Sequence, residues 1–165
     1  RAAFTTELWA CRRAFRQGTG AWHFPAGFLR RVERTYLSGS PGLHLFCGDA
    51  HLPYALNVDI RPEAHPDVVA NAEDLPFPPA TFAWVLADPP YSDEWNKTIW
   101  QQGPLHLYKV MDEIARVVKP GGLVLWLDLR PWSWPKPLKT EAFIALLAGP
   151  RCRVRLLHVL RKPAL

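Results

Sequence analysis

At 165 residues and 48% hydrophobic composition, the chain suits one domain of ordinary size with a real core. Charged residues make up 21%, which excludes a disordered polyelectrolyte, and no apolar run reads as a membrane span or a secretory leader. The formal net charge of +5 permits a polyanionic partner without requiring one. Cys11, Cys47 and Cys152 lie far apart with no C-x-x-C pair, and the six histidines do not cluster. That speaks against a disulfide framework and a metal site, and points to a reducing, cytoplasmic setting.

In chain order, residues 5–16 read as a short amphipathic helix anchored by Leu8, Trp9 and Phe15. A second helix is expected over 25–37, with Pro25 in its first turn. Short apolar runs follow as strands at 43–47, 56–60, 68–70 and 82–87. Leu107, Val110, Met111, Ile114 and Val118 mark one face of a helix over 103–118, closed by a turn at Lys119-Pro120-Gly121-Gly122. A central strand at 123–129, a helix at 140–148 and a last strand at 152–160 complete the chain. Alternating strands and helices indicate an α/β fold on a mostly parallel sheet. Only about eight residues separate the first two strands, too few for a crossover helix. One sheet face is therefore expected to be thin, covered by the N-terminal segment, a partner or a second copy. The expected organisation is a single domain over 1–165, with a helical extension at 1–20 and no separate target-recognition domain.

The strongest chemical signal is Asp88-Pro89-Pro90-Tyr91, directly after the strand at 82–87. In open parallel sheets, ligands bind beyond the carboxyl ends of strands. Two prolines stiffen the turn and remove two backbone donors, leaving carbonyl acceptors beside the Asp88 carboxylate. An exocyclic amino group offers two N–H donors to such acceptors, and Tyr91 can stack on a planar base. The plain alternative is a Pro-Pro turn with a capping Asp.

D-P-P-Y after a strand resembles the catalytic motif of the amino-methyltransferases. These move a methyl group from S-adenosylmethionine to adenine N6 or cytosine N4, with relatives acting on RNA or protein amides. The resemblance runs from about Phe24 to the C-terminus and implies a Rossmann-like class I methyltransferase fold. It implies that Asp88 and the Pro89 carbonyl accept from the amino group, that Pro90 shapes the turn, and that Tyr91 stacks on the base.

Further motifs resemble the same family in the same order. Leu45-Phe46-Cys47-Gly48-Asp49-Ala50 looks like the glycine loop after the first strand, with Ala50 replacing the last glycine and His44 standing where an acid is common. Asp59, ending the second strand, looks like the acid that binds the ribose hydroxyls, with Ile60 against the adenine. Asn71-Ala72-Glu73-Asp74-Leu75-Pro76-Phe77-Pro78 resembles D-A-E-D-L-P-F-P, with Asn71 at the adenine-contacting position. By this resemblance the S-adenosylmethionine site comprises Phe24, Phe46, Cys47, Gly48, Asp59, Ile60, Asn71, Ala72, Glu73 and Asp88. The plain alternatives are a turn glycine and a solvated strand-end acid.

Trp95, Lys97 and Trp100 follow the D-P-P-Y turn, and Trp132 and Trp134 follow the central strand. Aromatics interleaved with bases suit stacking on exposed nucleobases, or packing over the thin sheet face. Arg151, Arg153 and Arg155 alternate on the last strand as a phosphate-facing stripe or a solvated face. The expected function is methyl transfer to an exocyclic amino group of DNA adenine or cytosine. RNA is the runner-up, and a non-catalytic cofactor-binding or scaffold subunit is the alternative class. Nucleic acid is the expected partner, with a homodimer or partner subunit over the thin face and no membrane.

Overall fold

The computed structural model describes residues 4–10, 24, 27–38, 41–91, 93, 97, 102–147 and 154–164. Eight strands form one sheet: β1 (Thr5–Ala10), β2 (Gly42–Leu45), β3 (Leu56–Asp59), β4 (Val68–Val69), β5 (Phe82–Ala87), β6 (Val118–Asp128), β7 (Lys139–Leu147) and β8 (Arg155–Arg161). Their order is β1-β7-β8-β6-β5-β2-β3-β4. Every pairing is parallel except those of β8, which runs antiparallel between β6 and β7.

Two helices whose bounds are described cover opposite faces. Helix α1 (Phe28–Thr35) buries Phe28 and Val32 against Trp84, Leu86, Leu125 and Ile144. Helix α2 (Leu107–Val117) buries Val110, Met111 and Ile114 against Leu43, Val85 and Trp126. Each such side chain contributes about 1.5–3 kcal/mol when fully buried. The crossovers after β2 and β3 are short, as expected. Residues 46–55 carry no helix, and only a 3-10 turn at Pro62–Ala64 lies between β3 and β4. Helix α1 packs on the sheet face that carries Trp84 and Leu86. Gly42 allows tight packing there: a Cβ at this position would lie 1.9 Å from the Trp84 ring.

Three expectations need correction. Residues 5–10 are an edge strand rather than the start of a helix. Trp9 is buried while Leu8 is 63% exposed, the alternation of a strand, and the Trp9 indole donates to Glu7 two residues away. Residues 139–147 are strand β7, not a helix. Ala142, Ile144 and Leu146 fill one face while Phe143 packs on His158 from the other. Because both faces are apolar, the two-residue period is hidden in the sequence. Finally, β6 begins at Val118 and runs through the expected turn. The register jumps between Phe82↔Val118 and Trp84↔Leu123, so residues 119–122 bulge while remaining tied to β8. Gly121 N–H donates to the Lys162 carbonyl, and Lys162 N–H donates to Gly122.

Candidate active site

The strand order runs outward from β2 to β4 on one side and from β5 to β6 on the other, so the chain's direction of travel reverses between β2 and β5. Leu45 pairs with Ala87, placing the loops after these two strands side by side. Such a switch point opens a crevice at the carboxyl ends of the strands. The glycine loop and Asp88-Pro89-Pro90-Tyr91 therefore flank one crevice.

On the β2–β3 side the loop turns sharply. Phe46 has φ 57° and Gly48 φ 47°, both left-handed. Phe46 accepts this conformation with its ring edge-on to Trp126 at 6.4 Å. Cys47 N–H donates to the Val58 carbonyl, and Gly48 N–H donates to Asp59 Oδ2 at 2.9 Å. Asp59 Oδ1 also accepts from the Arg61 backbone at 3.0 Å and its Nε at 3.1 Å, while Arg61 Nη2 lies 3.4 Å from Oδ2. A carboxylate offers about four acceptor positions, and here internal donors take all of them. Ile60 beside it is 42% exposed, an open apolar surface. Burial pushes the Cys47 thiol up to about 12, so it is a neutral packing group rather than a nucleophile.

His44 and Asn57 lie beneath this loop, fully buried between β2 and β3. Asn57 Oδ1 accepts from Leu52 N–H and pairs with His44 Nδ1 at 3.1 Å. Nδ1 therefore carries the ring proton, and Nε2 is buried with no hydrogen-bond partner. Burial pulls the imidazole down to about 4, so the ring is neutral at physiological pH. Phe24 lies against it, 5.9 Å between ring centres, and stacks on Phe28 at 5.3 Å.

The segment 71–78 is fastened to α2. Asn71 Oδ1 accepts from Glu73 N–H at 2.9 Å, and Ala72 is buried. Burial alone would raise the Glu73 carboxyl, but hydrogen bonds from His106 and the charge of Lys109 hold it below its ordinary value. Arg116 donates to the Leu75 and Phe77 carbonyls, and Glu113 accepts from Leu75 N–H. Glu73 thus fastens the loop that carries Asn71 to the start of α2.

On the other side, the Tyr91 hydroxyl donates to Asp88 Oδ1 at 2.5 Å. Pro89 is buried and Pro90 half-buried. Burial and the nearby Asp88 charge push the Tyr91 phenol far up, so it stays protonated. Arg155 Nη1 lies 3.6 Å from Asp88 Oδ2, with the two side chains 14% and 16% exposed. Its guanidinium carbon is 5.8 Å from the Tyr91 ring centre. Burial raises the Asp88 carboxyl; Arg155 and the Tyr91 hydroxyl lower it, Asp128 raises it, and the net displacement is upward. Arg155 is thus no solvated face residue. Arg151 and Arg153 lie outside the described residues.

Of the expected substrate contacts, Trp95 and Trp100 also lie outside the described residues, and Lys97 is exposed. The Trp132 indole donates to Asp128 Oδ2 at 2.7 Å, with Arg130 over its ring at 4.9 Å. Trp134 packs between Trp126 and His158 and donates to His158 Nδ1 at 3.1 Å. His158 Nε2 therefore carries the ring proton and donates to the Arg130 carbonyl at 2.9 Å. Trp134 is half-buried and packs against the edge of the core.

Three residues at the site escaped the sequence reading: Arg61, Asp128 and the pairing of Arg155. Asp128 did carry a signal, an acid ending an apolar strand as Asp59 and Asp88 do.

No protein-family model and no curated protein matches the chain in sequence. Solved structures match it in fold. The N-methyltransferase NodS from Bradyrhizobium japonicum WM9 superposes with a TM-score of 0.58 at 14% identity, over 82% of this chain and 92% of that one. TrmN from Thermus thermophilus gives 0.57 at 21% identity, over 82% of this chain but only 47% of TrmN. A SAM-dependent methyltransferase from Methanosarcina mazei gives 0.60 at 12% identity, over 81% of this chain and 98% of that one. The chain thus has the Rossmann-like class I methyltransferase fold.

Proposed function

We propose that this chain is an S-adenosylmethionine-dependent methyltransferase acting on an exocyclic amino group of a nucleobase, DNA adenine N6 or cytosine N4 before RNA. The observation that carries the reading is the placement of Asp88-Pro89-Pro90-Tyr91 across the switch crevice from the Gly48 loop and Asp59.

The β2–β3 side has groups suited to the methyl donor. Asp59 is a carboxylate at a strand end, Ile60 presents open apolar surface, and the Asn71 amide stands on the adjoining loop. Arg61 must yield Asp59 for ribose hydroxyls to replace it. When bound, S-adenosylmethionine supplies a methyl group on an electrophilic sulfonium. Across the crevice, Asp88 and the Pro89 carbonyl accept from the substrate amino group, drawing its lone pair out of the ring and toward the methyl. The Tyr91 hydroxyl now holds Asp88 Oδ1, so an incoming amino group displaces it and frees the ring to stack on the base. Rate acceleration then comes from positioning and fixed electrostatics. A base in a duplex must first be flipped out.

Transfer of labelled methyl to DNA and RNA oligonucleotides tests the reading. Asp88→Ala is expected to lower the rate by about 10²-fold or more. Full activity in that variant removes the assignment. A second reading, a scaffold subunit that never binds the donor, draws on the four filled acceptor positions of Asp59. Thermal stabilisation by S-adenosylmethionine or its demethylated product decides against it.

A further inference from the structure

Arg155 opens β8, the one strand reversed between β6 and β7, so its start lies at the same sheet end as Asp88 and Asp128. Its neighbour Leu156 pairs with Asp128 itself. Nη1 is buried without a hydrogen-bond partner, 3.6 Å from Asp88 Oδ2. A guanidinium remains charged in a protein, and burying one with a donor unmet is costly. A residue on an ordinary strand face would carry no such cost.

The charged and titratable groups facing Asp88 come from three elements. Tyr91 lies on its own turn, Asp128 ends β6 and Arg155 opens β8. Asp128 repels a charged Asp88, and the Tyr91 hydroxyl supports it only while the ring lies closed. Once Tyr91 turns to stack on a base, Arg155 is the opposing charge that remains among the described residues.

Resting on the function proposed above, we propose that Arg155 is a positioning residue of this site, the counter-ion that keeps Asp88 a charged acceptor when Tyr91 leaves it for the substrate ring. A protonated Asp88 would offer a proton where the amino group needs an acceptor. The guanidinium acts through Asp88 and touches neither substrate nor methyl group.

The test compares the intact wild-type chain with Arg155→Met and Arg155→Lys. The Asp88 carboxyl carbon is followed by carbon-13 NMR against pH, and methyl transfer is profiled over the same range. In Arg155→Met the Asp88 titration and the acidic limb of the rate profile are expected to move up by about one pH unit or more. At a fixed pH on the acidic limb the rate falls about tenfold, with donor KM unchanged. Arg155→Lys returns the titration toward wild type. Should Arg155→Met fail to fold, Arg155→Gln is read in the same way. An Asp88 titration that is the same with and without the Arg155 charge overturns the proposal. If the titration moves as expected but wild type transfers no methyl group, the counter-ion role stands and the functional reading falls.

Discussion

Two aspartates end neighbouring regions of the sheet, and each is met by an arginine in a different way. Asp59 is held by Arg61 two residues on and by the Gly48 backbone, a local arrangement that fills every acceptor position. Asp88 is held loosely at 3.6 Å by Arg155, from the far end of the chain, and closely by Tyr91 from its own turn. The first arrangement can open by movement of one side chain. The second places a permanent charge on one side of the carboxylate and a tyrosine hydroxyl on the other. The Asp59 carboxylate is thus saturated by its own neighbours, while Asp88 Oδ1 accepts one hydroxyl hydrogen bond and its Oδ2 faces a guanidinium.

The largest expected difference between the halves is acid sensitivity. His44 in the donor half is held neutral with a folded value of about 4, below the ordinary value of 6.5. Its contribution to stability is present above pH 6.5 and is lost as pH falls toward 4, because the unfolded chain binds the proton first. The shift corresponds to about 3 kcal/mol. His44→Leu is expected to lack this loss. Urea unfolding of both proteins at pH 7 and pH 4 checks it, and an equal acid loss in both would place the sensitivity elsewhere. His158, in the other half, is also lowered by burial, yet both of its ring nitrogens have partners.

A smaller effect is expected at Arg61. If it competes with ribose hydroxyls for Asp59, Arg61→Met should tighten binding of S-adenosyl-l-homocysteine by about fivefold, the scale of a partly exposed ion pair. Weaker binding in that variant would mean that Arg61 helps to hold the donor.

The comparison also separates what the sequence reveals from what it conceals. Strands β2, β3 and β5 read clearly because their short apolar runs give way to Cys47-Gly48, Asp59 and Asp88. Strand β7 was hidden because Phe143 and Ile144 are both apolar, one facing each side. At the site, Asp59 and Asp88 announce themselves by position. Arg155 does not, since its role depends on the reversal of β8, and nothing local in Arg151 to Arg155 encodes that reversal. The partner of Trp134 is hidden for a related reason. Its indole donates to His158 across 24 residues, on a strand whose reversal it does not announce.

The most direct measurement is calorimetric titration of S-adenosyl-l-homocysteine into wild type, Asp59→Ala and Asp88→Asn. If the donor is held on the β2–β3 side and the amino group on the β5–β8 side, wild type binds and Asp59→Ala weakens binding by about 10- to 100-fold. Asp88→Asn then weakens binding much less than Asp59→Ala does, while methyl transfer is lost. Binding that ignores Asp59, or that fails equally in both variants, would contradict that division of labour.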